Sequence, residues 1–370
     1  LNYRIPVAKP DISERELENV VEAVKSGWIS SKGPFIETFE KGFSNYLGVK
    51  HAISVSNGTV ALHLALSALG VGRGHEVLVP SLTFIAAANA VTYTGASPVF
   101  IDAHPEYWCI DPGAVEKSIT DRTKAIILVH LYGHPCDLDP ILEIARLHGL
   151  YVIEDCAEAH GAEYRGKLVG SFGDVSCFSF YGNKIVTTGE GGMCLTDSTE
   201  LGEKMRILKD HGMNPTKRYW HDVVGFNYRM TNLQAAIGVA QLGKLERLVN
   251  RKREIAKLYS EFLRLKQAEG IVQSPEMSWA RNSYWFYSIL VKPDIRDRLM
   301  SDLDQQGIET RPFFYPTHTL PPYRDGLKLP VAEQLSARGL NLPSGPDIEN
   351  EELQHVASAV RDALQLSSQS

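Results

Sequence analysis

No apolar run in this chain approaches the roughly 20 residues that a membrane-spanning helix requires. Internal repeats are absent, as is low-complexity sequence apart from a polar C-terminal tail, and no signal-peptide pattern opens the chain. A soluble, cytoplasmic protein with no membrane partner is the expectation. Positive charge is not in excess either: 38 Lys and Arg against 44 Asp and Glu give a formal net charge of -6 at pH 7. With both signs mixed along the chain there is no basic face, so no nucleic-acid partner is expected, although a few local donors would suffice for a small anion. Cysteine is scarce and odd in number. Cys109, Cys136, Cys156, Cys177 and Cys194 are mostly flanked by strand-like residues, which fits reduced thiols better than a disulfide framework.

What is present is a chain of 370 residues, 44% of them hydrophobic, long enough to bury a large core and to divide into two domains. Short apolar runs at His51–Ser56, Glu76–Ser81, Pro98–Asp102, Ala125–His130, Leu150–Asp155, Val175–Phe180 and Gly192–Thr196 read as strands. Helical patterns such as Thr59–Leu69 and Asp139–Leu147 lie between several of them, and Glu14–Ser26 precedes them. Nearly continuous apolar strands separated by helices predict an α/β fold with a mostly parallel sheet covered on both faces. A charge-rich helix over Lys244–Leu265 introduces a second pattern, with a strand at Ser283–Val291 and helices at Ile295–Gln305 and Glu351–Leu364. The expected division is a large domain over residues 1–248 and a smaller α+β domain over 249–370.

Two glycine-rich stretches are decoys. "GVGRG" (Gly70–Gly74) follows a helix and precedes a strand, the reverse of the order a dinucleotide fingerprint needs. "GAEYRGKL" (Gly161–Leu168) matches most of a Walker A pattern, but it ends in Leu168, which cannot ligate magnesium, and it alternates like a hairpin.

Three other segments carry chemistry when read together. "SVSNGTVALHLAL" is a strand, a Ser-Asn-Gly-Thr turn and a helix, so free amides at the helix N-terminus suit a phosphate; ordinary N-capping would use the same residues. "YVIEDCAEAHGA" ends a strand on Asp155, at the carboxyl edge where ligands of open α/β sheets collect. Asp155 could cap the next helix or face a positively charged ring nitrogen. Asp155, Cys156 and His160 could be metal ligands, yet no second cluster with ligand spacing completes a site, so no metal is expected. "VSCFSFYGNKIVTTGEGG" sets Ser179 and Lys184 around a turn after a strand. A lysine there either extends its head to water or, desolvated, offers a free amine as nucleophile and base. A phosphate cradle, a ring-nitrogen counterion and an amine are the parts that pyridoxal 5′-phosphate (PLP) requires.

The chain resembles the sugar-nucleotide aminotransferases of the DegT/StrS type, a branch of the fold-type-I PLP-dependent transferases. The motifs run almost end to end: "GPFIETFEKGFSNYLG", "SVSNGTVALHLAL", "GHEVLVPSLTFIAAANAV", "VIEDCAEAHGA", "FSFYGNKIVTTGEGGM" and "GFNYRMTNLQAAIG". By this resemblance Lys184 binds the cofactor covalently and later shuttles protons, and Asp155 pairs with the pyridine nitrogen. Phe84 would cover one face of the ring, where a plain core aromatic is the alternative. Gly58, Thr59 and Ser179 would bind the cofactor phosphate, completed by Asn227 from the second subunit of a homodimer, which could pair further into a tetramer. Glu158 stands where the family more often has glutamine, at a position contacting the cofactor's 3′-oxygen. The implied reaction is ping-pong, from L-glutamate to a nucleotide-linked keto sugar. Relatives that carry histidine in place of the lysine remove a hydroxyl, so Lys184 argues for amine transfer. "GIETRPFFYPTH" offers Arg311, Tyr315 and His318 as sugar-nucleotide contacts, although an exposed ion pair suits Arg311 equally. The aromatic run "SYWFYS" reads as core. A non-catalytic PLP-fold regulator and a lyase acting on amino acids are the rival readings.

Overall fold

The computed structural model of the protein describes residues 3–264 and 271–367. Its strands are β1 (His51–Val55), β2 (Glu76–Pro80), β3 (Ser97–Ile101), β4 (Thr123–Val129), β5 (Tyr151–Asp155), β6 (Glu163–Tyr164), β7 (Lys167–Leu168), β8 (Val175–Ser179), β9 (Gly192–Thr196), β10 (Val272–Gln273), β11 (Ala280–Arg281), β12 (Tyr287–Leu290), β13 (Arg311–Pro312) and β14 (Gly339–Leu342).

Seven of these form one sheet in the order β1-β9-β8-β5-β4-β2-β3. The pairs β8–β5, β5–β4, β4–β2 and β2–β3 are parallel, whereas β9 runs antiparallel to both its neighbours. The expected mostly parallel sheet is therefore present, and its seven expected strands each have ends within two residues of an observed one; the expected strand Ser283–Val291 is shorter, as β12 begins only at Tyr287. Strands β2, β8 and β9 are buried at every position, as their unbroken apolar sequence requires when both faces are covered. One core holds Phe39, Phe43, Ile126, Leu128 and Phe178; on the other face Ile53, Val55, Ile127 and Ile153 meet the apolar helix Gly58–Ala68. The parallel strands bring their carboxyl ends to one edge, with Asp155 closing β5 and Ser179 closing β8. That edge carries the site.

The second sheet, β10-β12-β14-β13, is antiparallel and packs with the helices Leu245–Phe262, Pro293–Gln305 and Asn350–Ser367. The expected boundary at 248/249 falls inside the helix Leu245–Phe262. Its Leu245, Leu248 and Val249 belong to the main core, and its Ile255, Ala256 and Tyr259 belong to the C-terminal core. Leu265, the last residue of the expected helix, lies outside the described residues. The chain start also joins the C-terminal core: Ile5 is buried there and its amide donates to the Gly307 carbonyl at 3.0 Å.

Both decoys are turns. Gly70–Gly74 connects the helix Gly58–Ala68 to β2, and β6 and β7 form a hairpin closed by Arg165 (φ 49°) and Gly166 (φ 78°), the two left-handed residues of a type I′ turn. All five cysteines are free and buried. No described helix is long and apolar enough to cross a membrane.

Candidate active site

A cavity of about 690 Å³ opens between the carboxyl edge of the large sheet and the C-terminal domain. Its walls include Gly58, Thr59, Phe84, Asp155, Glu158, Ser179 and Lys184 from the first, and Trp285, Arg311 and Asn341 from the second.

At one end sits the first turn of the helix Gly58–Ala68. Asn57 caps it, its Oδ1 accepting from the Val60 amide at 3.0 Å. Gly58 and Thr59 occupy the turn in which helix amides lack intrahelical acceptors and the helix dipole favours an anion. A Cβ on Gly58 would stand 2.8 Å from the Cβ of Ser179, so glycine lets the helix start approach the end of β8. Asn57 is thus a cap, and Gly58, Thr59 and Ser179 together still form a small anion-sized corner.

At the centre are two acids and an amine. Asp155 is 7% exposed and its Oδ1 accepts from the Ala157 amide at 3.1 Å. Burial pushes its carboxyl up, and the Ala157 amide and the Lys184 charge pull it back. Glu158 is buried, its Oε2 accepting from the Tyr132 amide at 2.7 Å. Burial pushes this carboxyl up to about 7, with Lys184 and the Tyr132 amide opposing. The charge state of Glu158 thus changes near neutrality. Tyr132 holds a left-handed backbone (φ 53°), rare for a bulky residue, and its hydroxyl accepts from the Phe314 amide at 3.1 Å. One strained tyrosine therefore ties Glu158 to the C-terminal wall.

Lys184 lies in the turn after β8, its amide donating to the Tyr181 carbonyl at 2.9 Å. The residue is half-buried, but its Nζ lies only 3.6 Å from the centroid of the Trp285 ring. Desolvation lowers the ammonium pKa, while the charges of Glu158 and Asp155 act upward. The amine is therefore easier to deprotonate than that of an exposed lysine, which is what a nucleophile and proton carrier needs.

Phe84 is no plain core aromatic. It is 56% exposed on the cavity wall, its ring 5.8 Å from that of Phe314. Arg311 reaches the same space, half-exposed, with its guanidinium 3.1 Å from Glu309. Tyr315 is 60% exposed and does not line the cavity. His318 also lies off the wall: it is buried, Nδ1 bonded to the Ser81 hydroxyl at 2.6 Å and Nε2 facing Glu333 at 3.3 Å. Both its nitrogens are engaged within the protein. Asn227 is exposed and outside the cavity, its Oδ1 accepting from Arg229 at 2.7 Å.

Asp155, Cys156 and His160 are not gathered as ligands. Among the described residues the group that comes together is His130, Glu154 and Cys156. Glu154 there already accepts from the amides of Gly170, Phe172 and Gly173 and bonds to His130, which makes it a loop anchor. His160 packs against Phe178 and Phe180, and burial holds its pKa down at about 3.

Trp285 was not singled out from the sequence, being hidden in the "SYWFYS" run. It is 4% exposed and so is core, yet one ring face meets Lys184 and its Nε1 donates to the Asn183 carbonyl at 2.8 Å. An aromatic run too dense for simple strand alternation was the available signal.

The sequence profile of the DegT/DnrJ/EryC1/StrS aminotransferase family matches residues 10–361. The chain is 48% identical over 361 residues to the GDP-perosamine synthase of Escherichia coli O157:H7, covering 97% of this chain and 98% of that protein. It is 49% identical over 369 residues to the GDP-perosamine synthase of Caulobacter vibrioides, covering 98% of each. The crystal structure of the aminotransferase TlmJ from Streptoalloteichus hindustanus superposes with a TM-score of 0.94 at 34% identity, covering 98% of this chain and 100% of that one.

Proposed function

Because the chain belongs to the DegT/DnrJ/EryC1/StrS family and is a PLP-dependent aminotransferase of fold type I, we propose that it makes GDP-perosamine. It would do so by moving an amino group from L-glutamate to C4 of GDP-4-keto-6-deoxy-D-mannose. The observation that carries this reading is the placement of Lys184: an amine with a lowered pKa, beside two buried carboxyls, in a cavity large enough for a sizeable ligand. Near-full-length identity of 48% and 49% to two GDP-perosamine synthases supports the choice of sugar and nucleotide.

The residues fit the cofactor. Gly58, Thr59 and Ser179 would hold its phosphate in the corner that a Cβ would fill. Asp155 would keep the ring nitrogen protonated, Glu158 would share a proton with the 3′-oxygen, and Phe84 would cover one ring face. When bound, PLP supplies an electron sink that acidifies the amino acid's Cα. Lys184 would hold the cofactor through its aldehyde carbon and, once freed by glutamate, would carry the Cα proton to the cofactor's C4′, with the reverse transfer serving the keto acceptor. A positioned base of this kind contributes on the order of 10²–10⁴-fold in rate. Arg311, whose fork suits a diphosphate, would anchor the nucleotide, with Tyr315 beside it. Asn227 would complete the phosphate site of a second copy in a homodimer. In support, it lies on a surface that also exposes Tyr219, Trp220, Val223 and Val224.

The test is a panel of GDP-, UDP- and dTDP-linked keto sugars with glutamate, read by mass spectrometry. The expected result is an amino product from the GDP sugar with 2-oxoglutarate released. Product only from a UDP or dTDP sugar would overturn the nucleotide assignment; glutamate consumed without any keto acceptor would point to a lyase.

A further inference from the structure

We propose that Lys252 is a positioning residue for the chemistry at Lys184, acting by holding Trp285 in place. Lys252 lies on the helix Leu245–Phe262 and is 3% exposed. Its Nζ donates to the Trp285 carbonyl at 2.8 Å and to the Ser344 carbonyl at 2.5 Å. Among the described residues no carboxylate forms an ion pair with it. A buried ammonium without a paired carboxylate is costly, and desolvation takes its pKa down to about 7 against the opposing charge of Asp347.

The position of those two carbonyls gives the arrangement its consequence. Trp285 leads into β12 and Ser344 follows β14, adjacent strands paired Tyr287 to Leu342. One amine therefore fastens the start of one strand to the end of its neighbour. Beyond that point Trp285 meets the Lys184 turn twice: its ring faces the Lys184 amine, and its Nε1 donates to the carbonyl of the preceding residue, Asn183. Lys252 bonds to no residue of the Lys184 turn; its hydrogen bond toward that turn goes to Trp285, and its Nζ also lies 5.9 Å from the centroid of the Phe286 ring, which lines the same cavity.

The Trp285 ring shields the Lys184 amine from water. Loosening it admits water and favours the ammonium; loss of the ring's attraction for a cation opposes this but is the smaller effect, because full burial can move a lysine by several pH units and one ring face by about one. Glu158 and Asp155, which also face that amine, and the neighbouring His160 are untouched by a change at Lys252.

This inference rests on Lys184 as the reacting amine. The experiment compares Lys252→Met, which keeps the length and loses the donor, with Lys252→Gln, which keeps an amide donor. In the cofactor-free full chain, the pH dependence of reductive methylation at Lys184 is followed by peptide mass spectrometry. Lys252→Met should raise the Lys184 midpoint by about one pH unit, since partial relief of burial shifts a lysine on that scale, and Lys252→Gln should lie nearer the parent. Trp285→Leu, with Lys252 intact, should reproduce the rise and serves if Lys252→Met does not fold. A folded Lys252→Met whose midpoint equals the parent's, or a Trp285→Leu with no rise, overturns the proposal. Failure of the underlying reading shows separately, as a borohydride-fixed cofactor mapped to a lysine other than Lys184.

Discussion

The two walls of the cavity are built differently. The large-domain wall comes from the ends of parallel strands, where direction and register place Asp155 and Ser179 along one edge, with Lys184 in the turn that follows β8. The C-terminal wall comes from short antiparallel strands and the approach to one of them, with Arg311 in β13, Asn341 in β14 and Trp285 just before β12, converging from distant stretches of chain. The first wall carries two carboxyls and an amine; the second presents aromatic faces, an amide and a guanidinium. On the proposed function, the catalytic groups belong to the first wall and substrate selection to the second.

The contrast breaks most sharply at Lys184. Lys184→Ala should abolish steady turnover, because both the covalent anchor and the proton carrier are lost; near-normal turnover would refute the division of labour. A change on the opposite wall should act on binding. Arg311→Ala should raise KM for the sugar nucleotide about 10–100-fold, the scale of a lost charged hydrogen bond, and leave KM for glutamate unchanged. A matched rise for both substrates would remove Arg311 from the nucleotide site.

A smaller effect tests Glu158. Its folded-state pKa is raised from 4.5 to about 7, so between those values the folded protein holds a proton that the unfolded chain releases. The stability tied to this group is present below its unfolded pKa and is lost as pH rises through the folded one. Glu158→Gln removes that loss. In cofactor-free protein the Tm of Glu158→Gln relative to the parent should increase between about pH 5 and about pH 8, with a contribution on the order of 2 kcal/mol. A difference that stays flat across the range would mean that Glu158 does not titrate there.

The same contrast accounts for what the sequence disclosed. Strands buried on both faces announce themselves as unbroken apolar runs, so "VIEDCAEAHGA" placed Asp155 at a strand end before any fold was known. Gly58, Ser179 and Lys184 follow from short motifs local to such ends. Trp285 and Tyr132 could not be found that way. Trp285 reaches Lys184 from about a hundred residues away, and Tyr132 acts through its backbone amide and a left-handed φ, which composition does not encode. His318 resembled a ligand contact in sequence because its Ser81 partner is 237 residues distant. Chain division was legible only in outline, since one helix, Leu245–Phe262, packs half in each core.

The central claim is that the Lys184 amine, and no other, reacts with the cofactor. Borohydride reduction of the PLP-loaded protein followed by peptide mapping tests it directly. The account predicts one phosphopyridoxyl group per chain, on the peptide containing Lys184, and none when glutamate has first converted the cofactor to its amine form. A stoichiometric adduct on any other lysine, or no adduct on a protein that binds the cofactor, would contradict it.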